Sequence, residues 1–101
     1  MEYEPRKIVL PDEGKQQPFF SVGKQHLDSN HHVNNGQYIY MAQDYLPENF
    51  EIGQMRAEYK KSALLHDVIT PKVYEQENKI GVSLCGDDGQ PYAVIEFKRK
   101  I

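Results

Sequence analysis

The chain has 101 residues, a formal net charge of −3 and an apolar fraction of 39%, which suit one folded domain and exclude two. Acidic and basic residues are mixed without a basic block, and no apolar run approaches the roughly 18 residues of a membrane helix, so we expect no nucleic-acid and no membrane partner. The single cysteine, Cys85, excludes an internal disulfide and is typical of a reducing compartment, which predicts a cytoplasmic protein with Cys85 as a small buried strand residue.

Residues 1–18 have the composition of a lead-in or an interdomain linker. Three prolines punctuate this part of the chain, and the polar run DEGKQQ separates a short apolar stretch from the first predicted strand. We expect a single domain over residues 19–101. It would begin with that strand, over residues 19–27, in the stretch PFFSVGKQHLD.

A helix is predicted over residues 34–46. Its apolar residues recur at i, i+3, i+4, i+7 and i+8 and would face a sheet. They are Tyr38, Met41, Ala42, Tyr45 and Leu46. Asn34 or Asn35 can cap the first turn by accepting a hydrogen bond from a free backbone N–H, and Pro47 ends the helix.

Four strands are predicted after the helix. QMRAEYKKS alternates apolar and polar residues, and DVITPKVYEQ, KIGVSLCG and PYAVIEFKRK continue it as a meander with turns at residues 77–78 and 87–89. Pro71 lies inside the second of these strands and predicts a bulge or a sheet edge there. One helix and one sheet must cover each other's apolar faces. The expected fold is therefore α+β, an antiparallel sheet wrapped around one central helix, which is the hotdog architecture.

A dense polar stretch, HLDSNHHVNNGQY, overlaps the start of the predicted helix. Asp28, Asn30 and His32 are spaced two apart, so in an extended segment their side chains share a face. The first turn of the following helix attracts developing negative charge. A carboxylate or imidazole that activates water or attacks, an amide that positions a reactant, and such a turn for the oxyanion are what hydrolysis of an acyl ester or thioester requires.

Two other interpretations compete with this one. On spacing alone, helix caps and solvated loop histidines are the commoner explanation for these residue types. A metal site also has ligand types available in His26, Asp28, His31 and His32. Adjacent histidines in a strand point to opposite faces, however, and the spacing matches no standard zinc motif, so we expect no metal.

The longer string resembles the signature of acyl-acyl carrier protein thioesterases, D-x-N-x-H-V-N-N followed by a tyrosine. PRKIVLP and EYKKSALLHDVITPKV are similar to flanking segments of that family. The resemblance implies the catalytic C-terminal half of a tandem of two hotdog domains. Such a half would hydrolyse a fatty acyl thioester on acyl carrier protein, as part of fatty acid biosynthesis, without a metal or organic cofactor.

The same resemblance implies roles for the motif residues. Asp28 would be the nucleophile or the base that activates water, and the sequence leaves these two roles open. Asn30 would hold the carboxylate or the thioester carbonyl, and His32 would orient water or transfer a proton. The remaining motif residues would contact the substrate: Asn34, Asn35 and Tyr38.

The chain departs from the family pattern at one place. Plant members typically carry Glu-Cys after the E-Y-x-x string, where this chain has Ser62 and Ala63 at the end of the same predicted strand. Glu58 is a poor substitute, because it lies on the polar, outward side of that strand. The departure weakens a Cys-His mechanism and leaves an Asp-centred one. An acyl-CoA thioesterase and a non-catalytic acyl-binding or assembly module stay as alternatives.

The resemblance covers only the second of two domains, so a chain of this length would leave one sheet edge and one helix flank open. We expect it to pair with an identical chain as a homodimer, or with an N-terminal hotdog domain that is missing here. The isolated chain would then have little activity.

Overall fold

The computed structural model describes residues 14–27, 33 and 35–100, and of Asn35 only the backbone. Within these residues it contains one α-helix, α1 (Asn35–Gln43), and six strands. The strands are β1 (Lys15–Gln16), β2 (Phe20–Ser21), β3 (Ile52–Tyr59), β4 (Val68–Glu75), β5 (Lys79–Cys85) and β6 (Pro91–Arg99). A 3₁₀ helix spans Lys24–His26.

The strands form one antiparallel sheet in the order β1-β4-β5-β6-β3, and β2 pairs with a second part of β4. The helix packs on one face of this sheet, so the predicted α+β fold is confirmed. The shared core contains Tyr38, Met41, Ala42, Ile80, Val82, Leu84, Ala93, Ile95 and Phe97. In the described part of the chain, no helix has the length and apolar character needed to cross a membrane.

The face of the sheet that points away from α1 carries a buried charge. Glu96 on β6 lies directly opposite Arg56 on β3, and the Arg56 Nη2 is 2.8 Å from the Glu96 Oε1. The Nζ of Lys79 on β5 lies 3.8 Å from the Glu96 Oε2. Two cations therefore compensate one carboxylate that is shielded from water, which is the condition under which a charge can be buried in a protein.

The predicted helix is confirmed in position and in its buried face, but it is shorter than expected. It ends at Gln43, and tighter i→i−3 bonds follow, from the N–H of Tyr45 to the Ala42 carbonyl and from the N–H of Leu46 to the Gln43 carbonyl. Pro47 causes this, because a residue that precedes proline is disfavoured in the α conformation. Asn34, the predicted first residue, lies outside the described residues.

The strand predicted over residues 19–27 is wrong beyond Ser21. Only Phe20 and Ser21 pair with β4, and the chain then turns into the 3₁₀ helix at Gly23. The N–H of Gly23 donates to the Nδ1 of His26 at 3.0 Å, a local bond that competes with strand pairing. β1 also lies within the stretch predicted as a lead-in, and it pairs with residues 72–73 of β4.

The predicted four-strand meander is wrong in its first connection. β4, β5 and β6 are joined as successive hairpins, but β3 pairs with β6 and not with β4. The segment of residues 60–67 therefore crosses from one side of the sheet to the other. Strand order depends on non-local packing that alternation within each strand does not encode. The crossing places residues 60–67, which we call the crossing segment, beside the start of α1.

Pro71 was expected at a bulge or an edge, and both expectations are wrong. β4 pairs on both sides, and its register with β5 is continuous from Thr70 to Glu75. Pro71 lies between the part of β4 that pairs with β2 and the part that pairs with β1, and its carbonyl accepts the N–H of Gln17 at 2.8 Å. In an antiparallel strand the N–H and the carbonyl of one residue face the same neighbour. The N–H that proline lacks would therefore face the stretch between β2 and β1, where no strand partner needs it.

β3 forms the opposite edge of the sheet. Large apolar side chains on this strand are partly open to solvent, with Met55 at 39% and Tyr59 at 41% exposure. An edge strand with unpaired backbone groups and exposed apolar side chains is a surface on which another strand can pair. The predicted partner chain or domain would pair here.

Candidate active site

A backbone bridge joins the two residues that flank the motif segment. Leu27 and Val33 form an isolated antiparallel pair, which fixes the backbone on either side of residues 28–32. The three predicted catalytic residues, Asp28, Asn30 and His32, fall between these two positions in the sequence and lie outside the described residues, as does Asn34. We call residues 28–32 the motif loop. The bridge fixes where its two ends are.

Ala63, in the crossing segment, holds one end of the motif loop. The N–H of Val33 donates to the Ala63 carbonyl at 3.1 Å. On its other side, the N–H of Ala63 donates to the Oη of Tyr38 at 2.8 Å. Ala63 has no exposed surface, and a buried peptide group needs both of these bonds. One residue thus ties the motif loop to the first turns of α1.

Tyr38 was predicted to contact substrate, and the structure places its side chain in the core with 1% exposure. Its ring lies at 6.1 Å, tilted, from the ring of Tyr59. Burial raises the pKa of Tyr38; the Ala63 N–H opposes this shift and the negative charge of Asp67 adds to it. The hydroxyl therefore stays protonated at neutral pH. It accepts one hydrogen bond and keeps a proton to donate.

Asp67 closes the turn that carries Ala63, and sequence reasoning missed it. Its Oδ2 accepts the N–H of Leu64 at 2.8 Å and the hydroxyl of Tyr92 at 3.3 Å. Its own N–H donates to the Leu64 carbonyl at 3.0 Å. The available signal was an aspartate in a loop directly before a strand, where its side chain commonly bonds nearby backbone N–H groups.

Tyr92 joins this turn to the β5–β6 hairpin. The Nζ of Lys61 lies 4.8 Å above the Tyr92 ring and 3.2 Å from the Oδ2 of Asp88 in that hairpin. Burial and the nearby charge of Asp67 raise the pKa of Tyr92 to about 12. The phenol is therefore a hydrogen-bond donor to Asp67 at any physiological pH. The crossing segment is therefore fixed by surface contacts with the β5–β6 hairpin and by the core contact with Tyr38.

The position of the missing Glu-Cys pair is in the crossing segment, because β3 already ends at Tyr59 and Ser62 and Ala63 follow it. This corrects their assignment to the strand. Ser62 is exposed, whereas Ala63 is buried beside the motif loop. Glu58 faces away from the helix, as expected, and pairs with Lys60. Within the described part of the crossing segment, neither position offers a second carboxylate or a thiol to the loop.

One of the four residues considered as metal ligands, His26, makes other contacts in the structure. The Nδ1 of His26 is occupied by the N–H of Gly23, and its ring lies 6.3 Å from the ring of Phe20. Across residues 14–27, 33 and 35–100, no group of three or more metal-ligand side chains comes together. Asp28, His31 and His32 lie outside that part.

Comparison with known proteins gives one family and a consistent fold. A profile of the acyl-ACP thioesterase C-terminal domain matches residues 11–98. No curated protein sequence matches the chain. Among solved structures, an acyl-ACP thioesterase from Bacteroides thetaiotaomicron VPI-5482 is similar with a TM-score of 0.83 at 18% identity. The alignment covers 99% of this chain and 42% of that one.

Two further structures share the fold. The 12:0-ACP thioesterase from Umbellularia californica has a TM-score of 0.78 at 17% identity, over 98% of this chain and 40% of that chain. A hypothetical protein from Staphylococcus aureus, solved in complex with CoA, has a TM-score of 0.74 at 18% identity, over 88% and 76% of the two chains. The chain thus spans less than half the length of the two acyl-ACP thioesterases. These similarities establish the hotdog thioesterase fold.

Proposed function

The chain belongs to the acyl-ACP thioesterase C-terminal domain family, and from that premise we propose that it is the catalytic domain of an enzyme that hydrolyses fatty acyl thioesters of acyl carrier protein. The observation that carries the proposal is the Leu27–Val33 bridge, which fixes the two residues that flank the D-x-N-x-H motif. Hydrolysis requires reacting groups in defined positions, and anchored flanking residues support such positioning.

In this proposal, water attacks the thioester carbonyl while Asp28 accepts its proton. Asn30 holds the carboxylate or the carbonyl, and the first turn of α1 stabilises the oxyanion. The carbon–sulfur bond then breaks, His32 delivers a proton to the leaving sulfur, and the products are a free fatty acid and the thiol of the carrier. Direct attack by Asp28, through an acyl-enzyme anhydride, is the variant that the same residues permit.

In this proposal the role of Tyr38 is structural. Its bond to Ala63 and its burial support a role in holding the start of α1 against the crossing segment. Asn34 and Asn35 stay the proposed substrate contacts, because they lie in the matched motif at the start of the helix.

The proposal includes a second domain. The chain aligns with only 42% of the Bacteroides enzyme, and β3 is an exposed edge. A further hotdog domain or a second copy would pair there and complete the acyl-binding site. The single cysteine supports a reducing, cytoplasmic location.

An acyl-CoA thioesterase is the second candidate, favoured by the similarity to a protein solved with CoA. Both carriers present the acyl group on a phosphopantetheine thiol, so the motif chemistry is shared. The test is hydrolysis by the whole protein of matched acyl-carrier and acyl-CoA thioesters, alone and in competition. Preference for acyl-CoA would replace the carrier assignment, and absence of turnover on both would leave the non-catalytic alternative.

A further inference from the structure

We propose that Asp67 is a positioning residue for this hydrolysis, because it holds the peptide group on which the motif loop is seated. The inference rests on the proposed function for its catalytic part. Asp67 lies outside the motif, at the last position of the crossing segment, and the proposed mechanism does not use it. Its effect would be transmitted through one peptide plane.

That plane is the peptide between Ala63 and Leu64. Its carbonyl, from Ala63, accepts the N–H of Val33 at 3.1 Å, and its N–H, from Leu64, donates to the Oδ2 of Asp67 at 2.8 Å. In a trans peptide the carbonyl and the N–H point in opposite directions. The Asp67 carboxylate therefore sets the orientation of the carbonyl that binds the end of the motif loop.

Charge adds to geometry at this peptide. A hydrogen bond to an ionised carboxylate is stronger than one between neutral groups, and consecutive hydrogen bonds through a peptide polarise each other. With Asp67 ionised, the Ala63 carbonyl becomes a better acceptor for the Val33 N–H. The carboxylate thus strengthens a bond that it does not touch.

Asp67 is itself fixed through both its backbone and its side chain. Its carbonyl accepts the N–H of Val22 at 2.8 Å, which ties it to the segment before the motif loop. Tyr92 donates its hydroxyl to the same Oδ2 that binds Leu64. The negative charge is also close enough to Tyr38 to contribute to its raised pKa. The carboxylate thus binds the peptide that holds Val33, and the backbone of the same residue binds the segment before the motif loop.

The test compares Asp67→Ala with Asp67→Asn in the whole protein. Alanine removes the acceptor, whereas asparagine keeps an oxygen that can bind both Leu64 and Tyr92 and loses only the charge. The first measurement is amide hydrogen exchange at Val33, taken as a ratio to exchange at Val82 in the core of β5, which corrects for a change in global stability. We expect the ratio to rise on the order of tenfold in Asp67→Ala, with most of it restored in Asp67→Asn.

The second measurement is steady-state hydrolysis at a temperature at which all variants are folded. Asp67→Ala should lower kcat on the order of tenfold with KM within about twofold, and Asp67→Asn should recover much of kcat. Glu96→Gln is the matched control, because it removes the charge of a buried carboxylate on β6, on the face of the sheet that points away from α1, without a substitution in the β3 edge. It should lower Tm while leaving kcat and the exchange ratio unchanged.

The outcomes separate two failures. If Asp67→Ala leaves the exchange ratio or kcat at the parent value, or if Glu96→Gln lowers kcat equally, the positioning role is wrong and the proposed function is untouched. If the parent itself hydrolyses no acyl thioester, the proposed function fails and the catalytic role of Asp67 fails with it. A rise in the exchange ratio together with a selective loss of kcat supports the proposal.

Discussion

The hydroxyl of Tyr38 lies 2.8 Å from the backbone nitrogen of Ala63, a residue 25 positions later in the chain, and accepts its hydrogen bond in the core. This contact joins α1 to the segment that crosses between β3 and β4. Because Ala63 also accepts the N–H of Val33, the helix and the motif loop are bound to the same residue. Removal of the Tyr38 hydroxyl would test the importance of this contact.

Tyr38→Phe should destabilise the domain by about 1–3 kcal/mol, because the Ala63 N–H would stay buried without an acceptor. Denaturant unfolding measures this directly. Tyr40→Phe is the matched control, since Tyr40 lies two residues along the same helix with 66% exposure and should change stability little. Equal effects of the two substitutions would contradict the role given to Tyr38.

Asp28→Asn should abolish most hydrolysis in the whole protein without unfolding it, because the substitution keeps shape and removes the base or nucleophile. The expected loss is on the order of 10²–10⁴ in rate. Asn30→Ala and His32→Ala should each cost a large factor, and the losses should not add. Assays on an acyl-carrier thioester measure all three.

Ser62→Ala is the informative comparison for Asp28→Asn. It should be nearly silent, as should His31→Ala, because adjacent residues of an extended segment are expected to point to opposite faces. Retention of activity in Asp28→Asn together with its loss in Ser62→Ala would replace the Asp-centred mechanism by a nucleophilic serine.

The isolated 101-residue chain should be a dimer that pairs through β3 and is nearly inactive. Met55→Lys, on the exposed apolar side of this edge, should shift it toward monomer, because a charge would be buried between the strands. Light scattering distinguishes the two masses. A monomeric parent would show that β3 is not a pairing edge, and a turnover equal to that of the whole protein would contradict the expected inactivity.

His66→Gly should stabilise the domain by up to about 1 kcal/mol. His66 has a φ of 73°, in the left-handed region that costs a residue with a Cβ roughly 1–2 kcal/mol, and the greater entropy of glycine in the unfolded chain offsets part of the gain. His66→Val should do the reverse. Thermal melts of the two variants check the sign, and stabilisation by valine would contradict it.

Stability should fall at alkaline pH, in part through Tyr92. The folded chain holds the pKa of Tyr92 at about 12, above the value near 10 of a free tyrosine. Below pH 10 both states keep the proton and the contribution is complete; it is lost as pH rises from 10 toward 12, because the unfolded chain then loses the proton more readily. Tyr92→Phe should flatten this part of a stability-against-pH curve, and an unchanged slope would count against it.

The elements that depend on local periodicity could be predicted from the sequence. The face of α1 and the four long strands follow from the spacing of their apolar residues, and each was found within a few positions of its expected bounds. The pairing of β3 with β6 could not be predicted in this way. The choice depends on which strand covers which part of the helix, and alternation within a strand is the same for either neighbour.

Only the part of the site that consists of polar side chains could be predicted from the sequence. The motif loop is visible as a cluster of polar residues, whereas Ala63 contributes two backbone groups that any residue possesses. Asp67 offers a weak signal, because an aspartate in a loop has many uses. The short first strand was mispredicted because the bond between Gly23 and His26 is local but has no periodic pattern.

Ala63 supports the motif loop and the helix through its backbone carbonyl and N–H and not through its side chain. Any residue other than proline that fits this enclosed space leaves both hydrogen bonds in place. The side chain at position 63 can therefore be substituted, for example by one that carries a thiol, while the surrounding structure stays the same. A family that uses this arrangement can gain or discard a reactive group by a single substitution, with its scaffold held constant.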